Sequence, residues 1–257
     1  MNPATNPTWQ LGGDLTVNRL GFGAMRITGK GIWGWPPDRN NAIKVLKRAV
    51  ELGVNLIDTA DAYGPETSEL LIAEALHPYP KGLVIATKGG LTRPGPSQWV
   101  PNGRPEHLKQ AVEMSLKRLR LERIDLYQLH RHDPEVPIEE SIGALEALRQ
   151  EGKIRLIGVS NFSLEQLRVA QSVTKISSVQ NQYNRGLLIS EEVLNACEAE
   201  GIGFMPWSPL GEGLREPAYE LRWLLDRSPV TLPIPGTSSV EHFEENMLAV
   251  AAESLSK

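Results

Sequence analysis

A chain of 257 residues and 28.4 kDa suits one large α/β domain or two small ones, and 40% hydrophobic with 23% charged residues excludes a wholly disordered chain. A net charge of -4 and a pI near 5.8 argue against nucleic acid or an anionic membrane as the main partner. The one cysteine, Cys197, excludes an internal disulfide and a cysteine-built metal cluster. No apolar run approaches the ~20 residues of a membrane span, and residues 1–9 lack the charged start and apolar core of a secretion signal. The expectation is a cytoplasmic protein.

The chain opens on a hairpin pattern: Thr8–Leu11, a Gly12-Gly13-Asp14 turn, then residues 15–19. A short apolar run at 20–25 reads as a buried strand. Ala42, Val45, Leu46, Ala49 and Val50 follow as the stripe of an amphipathic helix. Strands are predicted next at 54–58 and 83–88. Leu108, Ala111, Val112, Ser115, Leu116 and Leu119 then mark a helix entered through Pro105. After a strand at 125–130, Ile138, Ile142, Leu145 and Leu148 form a further helical stripe, with Gly152 beyond its end. A strand at 155–160 precedes Ser163 and Gln166, spaced as a capping box. Strands at 177–182, 203–208 and 231–235 complete the set, and Val240, Phe243, Met247 and Val250 mark the final helix.

Eight strands with helices between them predict an α/β fold, a (β/α)8 TIM barrel with an N-terminal β-hairpin, as one domain over residues 1–257. A doubly wound open sheet is the competing arrangement. In a barrel, chemistry gathers where strands end. Those ends carry Asp58, Lys88, His130, Ser160, Asn161, Gln180 and Ser208, with Tyr63 in the loop after the second barrel strand. Each has a structural reading of its own: Asp58 as a helix cap, Tyr63 as a half-buried ring. A lysine closing the apolar run LVIATK is more telling, because a buried ammonium needs a partner. Together, Asp58, Tyr63, Lys88 and His130 compose an acid–base set. The ammonium is expected to lower the phenol's pKa, Asp58 to orient the ammonium, and His130 to donate to a carbonyl oxygen. His130 and His132 lack a convergent third ligand, so no metal is expected. Gly158-Val159-Ser160-Asn161-Phe162 lacks the second glycine of a nucleophile elbow.

Asp58-Thr59-Ala60-Asp61-Ala62-Tyr63-Gly64 resembles the signature of the aldo-keto reductases. Thr87-Lys88, Asp125-Leu126-Tyr127-Gln128-Leu129-His130, Gly158 to Phe162, Val179-Gln180-Asn181, Trp207-Ser208-Pro209-Leu210-Gly211 and Ile234-Pro235-Gly236-Thr237-Ser238 follow in that family's order. The resemblance covers nearly the whole chain. It implies an NADP-dependent oxidoreductase reducing aldehydes or ketones, without metal or flavin. Tyr63 would be the general acid, tuned by Lys88 and Asp58, with His130 orienting the carbonyl. Ser160, Asn161 and Gln180 would hold the nicotinamide carboxamide, and Trp207 would stack on the ring. Gly23, Asp58, Ser208, Pro209 and Leu210 would complete the inner part of the nucleotide site. Gly236, Thr237, Ser238, His242, Glu245 and Asn246 would surround its adenosine end. NADPH is the expected cofactor and NADH the alternative, because a lysine and an arginine common in relatives are replaced here by Gly236 and His242. The residues alone do not announce a dinucleotide, since Gly21-Phe22-Gly23 continues without the GxGxxG spacing.

Trp33, Trp35 and Trp99 fall in predicted loops and are expected to line the substrate pocket, or else to plug the rim. The loop from Met25 to Arg39 is similar to that of bacterial pyridoxal reductases, a hint at pyridoxal as substrate. The stretch 211–229 is short for this family: only Pro217–Arg227 is helix-like, which suggests a trimmed or disordered cofactor-covering segment near 213–216. A small-molecule carbonyl substrate is the expected partner. A monomer is compatible with the sequence, and a non-catalytic NADPH-binding regulatory subunit of the same fold is the alternative function.

Overall fold

The computed structural model describes residues 7–211 and 216–251. It begins with the expected hairpin, β1 (Thr8–Leu11) antiparallel to β2 (Leu15–Asn18), in a register that pairs Thr8 with Asn18 and Leu11 with Leu15. Gly12 and Gly13 turn the chain at φ of 64° and 98°, a region that side chains resist. The hairpin's inner face, Leu11, Leu15 and Val17, is buried among Leu56, Val84, Ala86, Leu126, Met205 and Leu232. Leu56 and Val84 open their strands, so the hairpin covers that end of the sheet and leaves the other to polar residues.

The main sheet is parallel and seven-stranded. In chain order it contains β3 (Phe22–Gly23), β4 (Leu56–Asp58), β5 (Val84–Gly89), β8 (Ile124–Leu129), β9 (Ile154–Ser160), β10 (Ser178–Gln180) and β11 (Gly203–Phe204). A small hairpin, β6 (Leu91–Thr92) with β7 (Val100–Pro101), follows β5. Lys88 pairs with Gln128, Gln128 with Gly158, Gly158 with Ser178, and Ser160 with Gln180. At Gly158 a Cβ would lie 2.1 Å from Ser178 Oγ and 2.9 Å from Gln128 Cγ. Glycine is therefore what gives the Gln128 side chain room to cross the interior.

Several strands are shorter than the sequence predicts. The predicted strand 20–25 is a strand only at Phe22–Gly23, after which Ala24–Ile27 winds into a 3₁₀ turn. The runs 177–182 and 203–208 end early, leaving an isolated parallel bridge between Gln182 and Trp207. The run at 231–235 is not a strand. Leu232 N donates to Phe204 O, while Pro233 O and Pro235 O accept from Gly21 and Gly23. Prolines 233 and 235 have no N–H to return, so the contact with β3 is one-way, whereas beside β11 Phe204 N also donates to Val230 O and Phe204 forms an isolated parallel bridge with Thr231.

Helices α1 (Arg39–Glu51), α2 (Thr67–Leu76), α3 (Pro105–Leu119), α4 (Ile138–Gln150), α5 (Leu164–Val173), α6 (Glu191–Glu200), α7 (Pro217–Arg227) and α8 (Val240–Ala251) alternate with the strands. The stripes expected on α1, α3 and α4 are the buried faces observed. Ser163 and Gln166 close a reciprocal capping box at the start of α5. Helix α2 escaped the periodicity because it is buried on most sides, through Thr67, Ser68 and Glu69 as well as its leucines. Helix α6, which holds the buried Cys197, also carried no recognised stripe. Helix α7 matches the 217–227 expectation, whereas a join at 213–216 falls mostly on residues 212–215, outside the described residues.

Candidate active site

At the strand ends away from the hairpin, a cavity of about 520 Å³ is bounded by Asp58, Tyr63, His130, Gln180, Trp207 and Gly236, among others. Asp58 closes β4 and Lys88 lies one residue before the end of β5. Both are buried, and they form an ion pair with Lys88 Nζ 2.7 Å from Asp58 Oδ2. Gln180 Nε2 donates to Asp58 Oδ1 at 2.8 Å and Gln128 Nε2 to the same oxygen at 3.2 Å. Lys88 spends its other protons on Thr59 O at 2.8 Å and Tyr63 OH at 3.2 Å. The phenol oxygen thus accepts from the ammonium and keeps its own proton for another acceptor. This is the arrangement needed to protonate an oxygen docked in the cavity.

Burial is the strongest influence on Tyr63 and raises its pKa; Lys88 pulls downward, Asp58 pushes up, and the result lies above the ordinary phenol value. The sequence expectation of a phenol made more acidic is therefore corrected, because desolvation of the phenolate outweighs the ammonium. On Lys88, burial alone would lower the pKa, but the combined pull of Asp58 and Tyr63 raises it, so the ammonium stays charged. His130 lies just beyond β8 with its ring 5.7 Å from that of Tyr63, edge to face. Burial, then Lys88, Arg131 and Arg93, hold its pKa well below the usual imidazole range. A neutral ring of this kind has one N–H to donate and places no rival cation beside the phenol.

Around this core the polar residues brace each other. Asn161 Nδ2 donates to Ser160 Oγ at 3.0 Å and to His130 O at 3.2 Å, while Trp207 Nε1 donates to Asn161 Oδ1 at 3.0 Å. Asn161 and Ser208 hold φ of 60° and 54°, left-handed conformations that cost energy outside glycine and turn the main chain at the cavity wall. Ser160 Oγ keeps a proton to donate, and Gln180 Oε1 accepts from no described residue. One donor and one acceptor thus line the same cavity as Trp207, a pair complementary to a primary carboxamide.

Gly23, Pro209 and Leu210 also line the cavity. Gly23 and Gly236 face each other so closely that a Cβ on either would lie 2.6 Å from a carbonyl oxygen, Ile234 O for Gly23 and Gly23 O for Gly236. Thr237, Ser238, His242, Glu245 and Asn246 are outside the cavity wall. Thr237 Oγ1 accepts from Ser239 N, Ser238 O accepts from Asn41, and Ser239 Oγ accepts from His242 N. His242 and Glu245 are exposed and Asn246 is buried. Of the three tryptophans, Trp99 reaches the cavity, in edge contact with Tyr63 and His130. Trp33 stands behind it, the Arg93 guanidinium lying 3.5 Å from the Trp99 ring centre and 5.4 Å from that of Trp33. Trp35 is 46% exposed against Arg39, away from the cavity. Gln128, Arg26 and Arg131 went unassigned in the sequence. For Gln128 the signal was present, since it lies two residues before His130 on the same alternating face.

Residues 19–221 match the model of the aldo/keto reductase family. An uncharacterised oxidoreductase of Schizosaccharomyces pombe is 48% identical, over 94% of this chain and 84% of its own length. Pyridoxine 4-dehydrogenase of Escherichia coli is 40% identical, over 92% of this chain and 91% of its own. Among solved structures, a glycerol dehydrogenase from Gluconobacter oxydans superposes with a TM-score of 0.90 at 29% identity, covering 98% of this chain and 92% of that one. An aldo-keto reductase from Klebsiella pneumoniae in complex with NADPH does so with a TM-score of 0.77 at 25% identity, covering 96% and 90%.

Proposed function

The chain belongs to the aldo/keto reductase family, and we propose that it is an NADPH-dependent reductase of aldehydes or ketones with Tyr63 as general acid and pyridoxal as a candidate substrate. We read the sheet as a closed (β/α)8 barrel in which residues 230–236 take the eighth place. The observation that carries the function is the Tyr63 hydroxyl, fixed by Lys88 at 3.2 Å with its own proton unspent at the wall of the cavity.

NADPH, when bound, supplies the hydride for the carbonyl carbon. The donor set fits its nicotinamide: Ser160 would donate to the carboxamide oxygen, Gln180 would accept from its amide, and Trp207 would lie against the ring. Asn161 holds Ser160 and Trp207 in place. His130, kept neutral, donates to the carbonyl oxygen and polarises it. Tyr63 gives its proton as negative charge develops there, and Lys88, held by Asp58, stabilises the phenolate left behind. The 40% identity to a pyridoxine dehydrogenase supports pyridoxal as a substrate. The NADPH complex of the Klebsiella structure supports that cofactor.

The test is consumption of NADPH absorbance with a panel of aldehydes including pyridoxal. Tyr63→Phe is expected to lower kcat by at least about a hundredfold while NADPH still quenches tryptophan fluorescence. Wild-type turnover in that variant would remove the general acid from the mechanism. NADPH binding by the unaltered protein without turnover of any carbonyl would favour a regulatory subunit.

A further inference from the structure

The charges around the cavity do not balance. Asp58 is the one acid among the described residues that line it, and its oxygens are already committed to Lys88, Gln128 and Gln180. Two guanidinium groups, Arg26 and Arg131, line the same cavity, and neither has a hydrogen-bond or ion-pair partner among the described residues. They serve different parts of it. The Arg26 stem packs beside Gly236, 3.5 Å from where a Cβ there would stand, at the Gly23–Gly236 floor assigned to the nucleotide. Arg131 follows His130 directly and is exposed. A third guanidinium, Arg93, sits over the Trp99 ring, with Nε and Nη2 lacking partners.

A neutral carbonyl compound needs none of this charge. An unpaired guanidinium at the rim of a partly apolar cleft attracts anions and offers the planar fork that matches carboxylate and phosphate. We propose that the carbonyl substrate carries an anionic group, a carboxylate or a phosphate, which Arg131 holds while the C=O reaches Tyr63 and His130. This rests on the reductase reading above and narrows its substrate class.

The experiment compares kcat/KM at saturating NADPH within matched pairs: pyridoxal 5′-phosphate against pyridoxal, and 4-carboxybenzaldehyde against 4-carbamoylbenzaldehyde. The wild type is expected to favour the charged member about tenfold, as a charge-assisted hydrogen bond would give, and the preference should shrink as salt is raised. Arg131→Met should lower the charged-to-neutral ratio about tenfold, a readout in which any general loss cancels. A preference confined to the phosphorylated compound would assign phosphate, and one seen in both pairs would extend the assignment to carboxylate. Equal efficiency within each pair, a preference that survives Arg131→Met, or an effect of that variant only on NADPH affinity would overturn the proposal and leave the reductase reading intact. Failure of every carbonyl would overturn both.

Discussion

Lys88–Asp58 and Arg118–Glu69 are both buried ion pairs, with N···O distances of 2.7 and 2.6 Å and side chains at most 8% exposed, yet only the first reaches the main cavity. Glu69 of α2 also accepts from Thr87 of β5 at 2.6 Å, and Arg118 of α3 donates further to Glu66 and Ser115. That pair fastens two helices to a strand. The Lys88 pair has a different third partner, a phenol that retains its proton beside empty space. Buried charge alone does not mark chemistry. What sets the pair proposed for catalysis apart is a hydroxyl in contact with it and room for a substrate.

The sharpest way to test the contrast is to remove one member of each pair. Lys88→Met leaves Asp58 buried without its cation and takes the phenol's charged neighbour away. We expect kcat to fall by at least about a hundredfold, in addition to a stability loss of about 3 kcal/mol, measured by single-turnover NADPH oxidation and urea unfolding. Near-normal turnover would erase the distinction. Glu69→Gln should cost a similar ~3 kcal/mol and change kcat per folded molecule by no more than about twofold. A hundredfold loss of turnover there would place the second pair in the reaction.

A smaller effect separates the two regions by pH. His130 has a folded pKa well below its unfolded value, so below about pH 6.5 the unfolded chain binds a proton that the native site refuses. Stability should therefore fall as pH drops from about 6.5 toward the folded value, by up to ~1.4 kcal/mol per pH unit. Denaturant midpoints at pH 5, 6 and 7 would measure the slope, and His130→Asn should reduce it. An unchanged slope would assign the acid sensitivity to other groups.

The proposed catalytic region was legible because polar residues end apolar strands: Asp58, Lys88, His130, Ser160 and Gln180 announce themselves against their neighbours. Glu69 and Arg118 were not, because a charged residue on a helix ordinarily faces solvent. Their pairing appears only once α2, α3 and β5 are assembled. The direction of the Tyr63 shift was misjudged for a related reason. Sequence indicates which charges neighbour the phenol, but the opposing cost depends on how completely water is excluded. The segment 231–235 has strand-like apolar residues, yet its prolines decide how it can bond. The guanidinium of Arg131 was in view beside His130 and gained meaning only from its lack of a hydrogen-bond or ion-pair partner among the described residues.

Cys197 has one more consequence. It is the chain's one cysteine, fully buried in α6, and burial, reinforced by nearby Glu200, pushes its thiol up to about 12. Alkylating reagents attack the thiolate, so at neutral pH the native molecule should stay almost unlabelled. Each opening of this helix would admit a single tag per chain. The native protein thus carries its own clock for unfolding, readable by mass without any engineered probe.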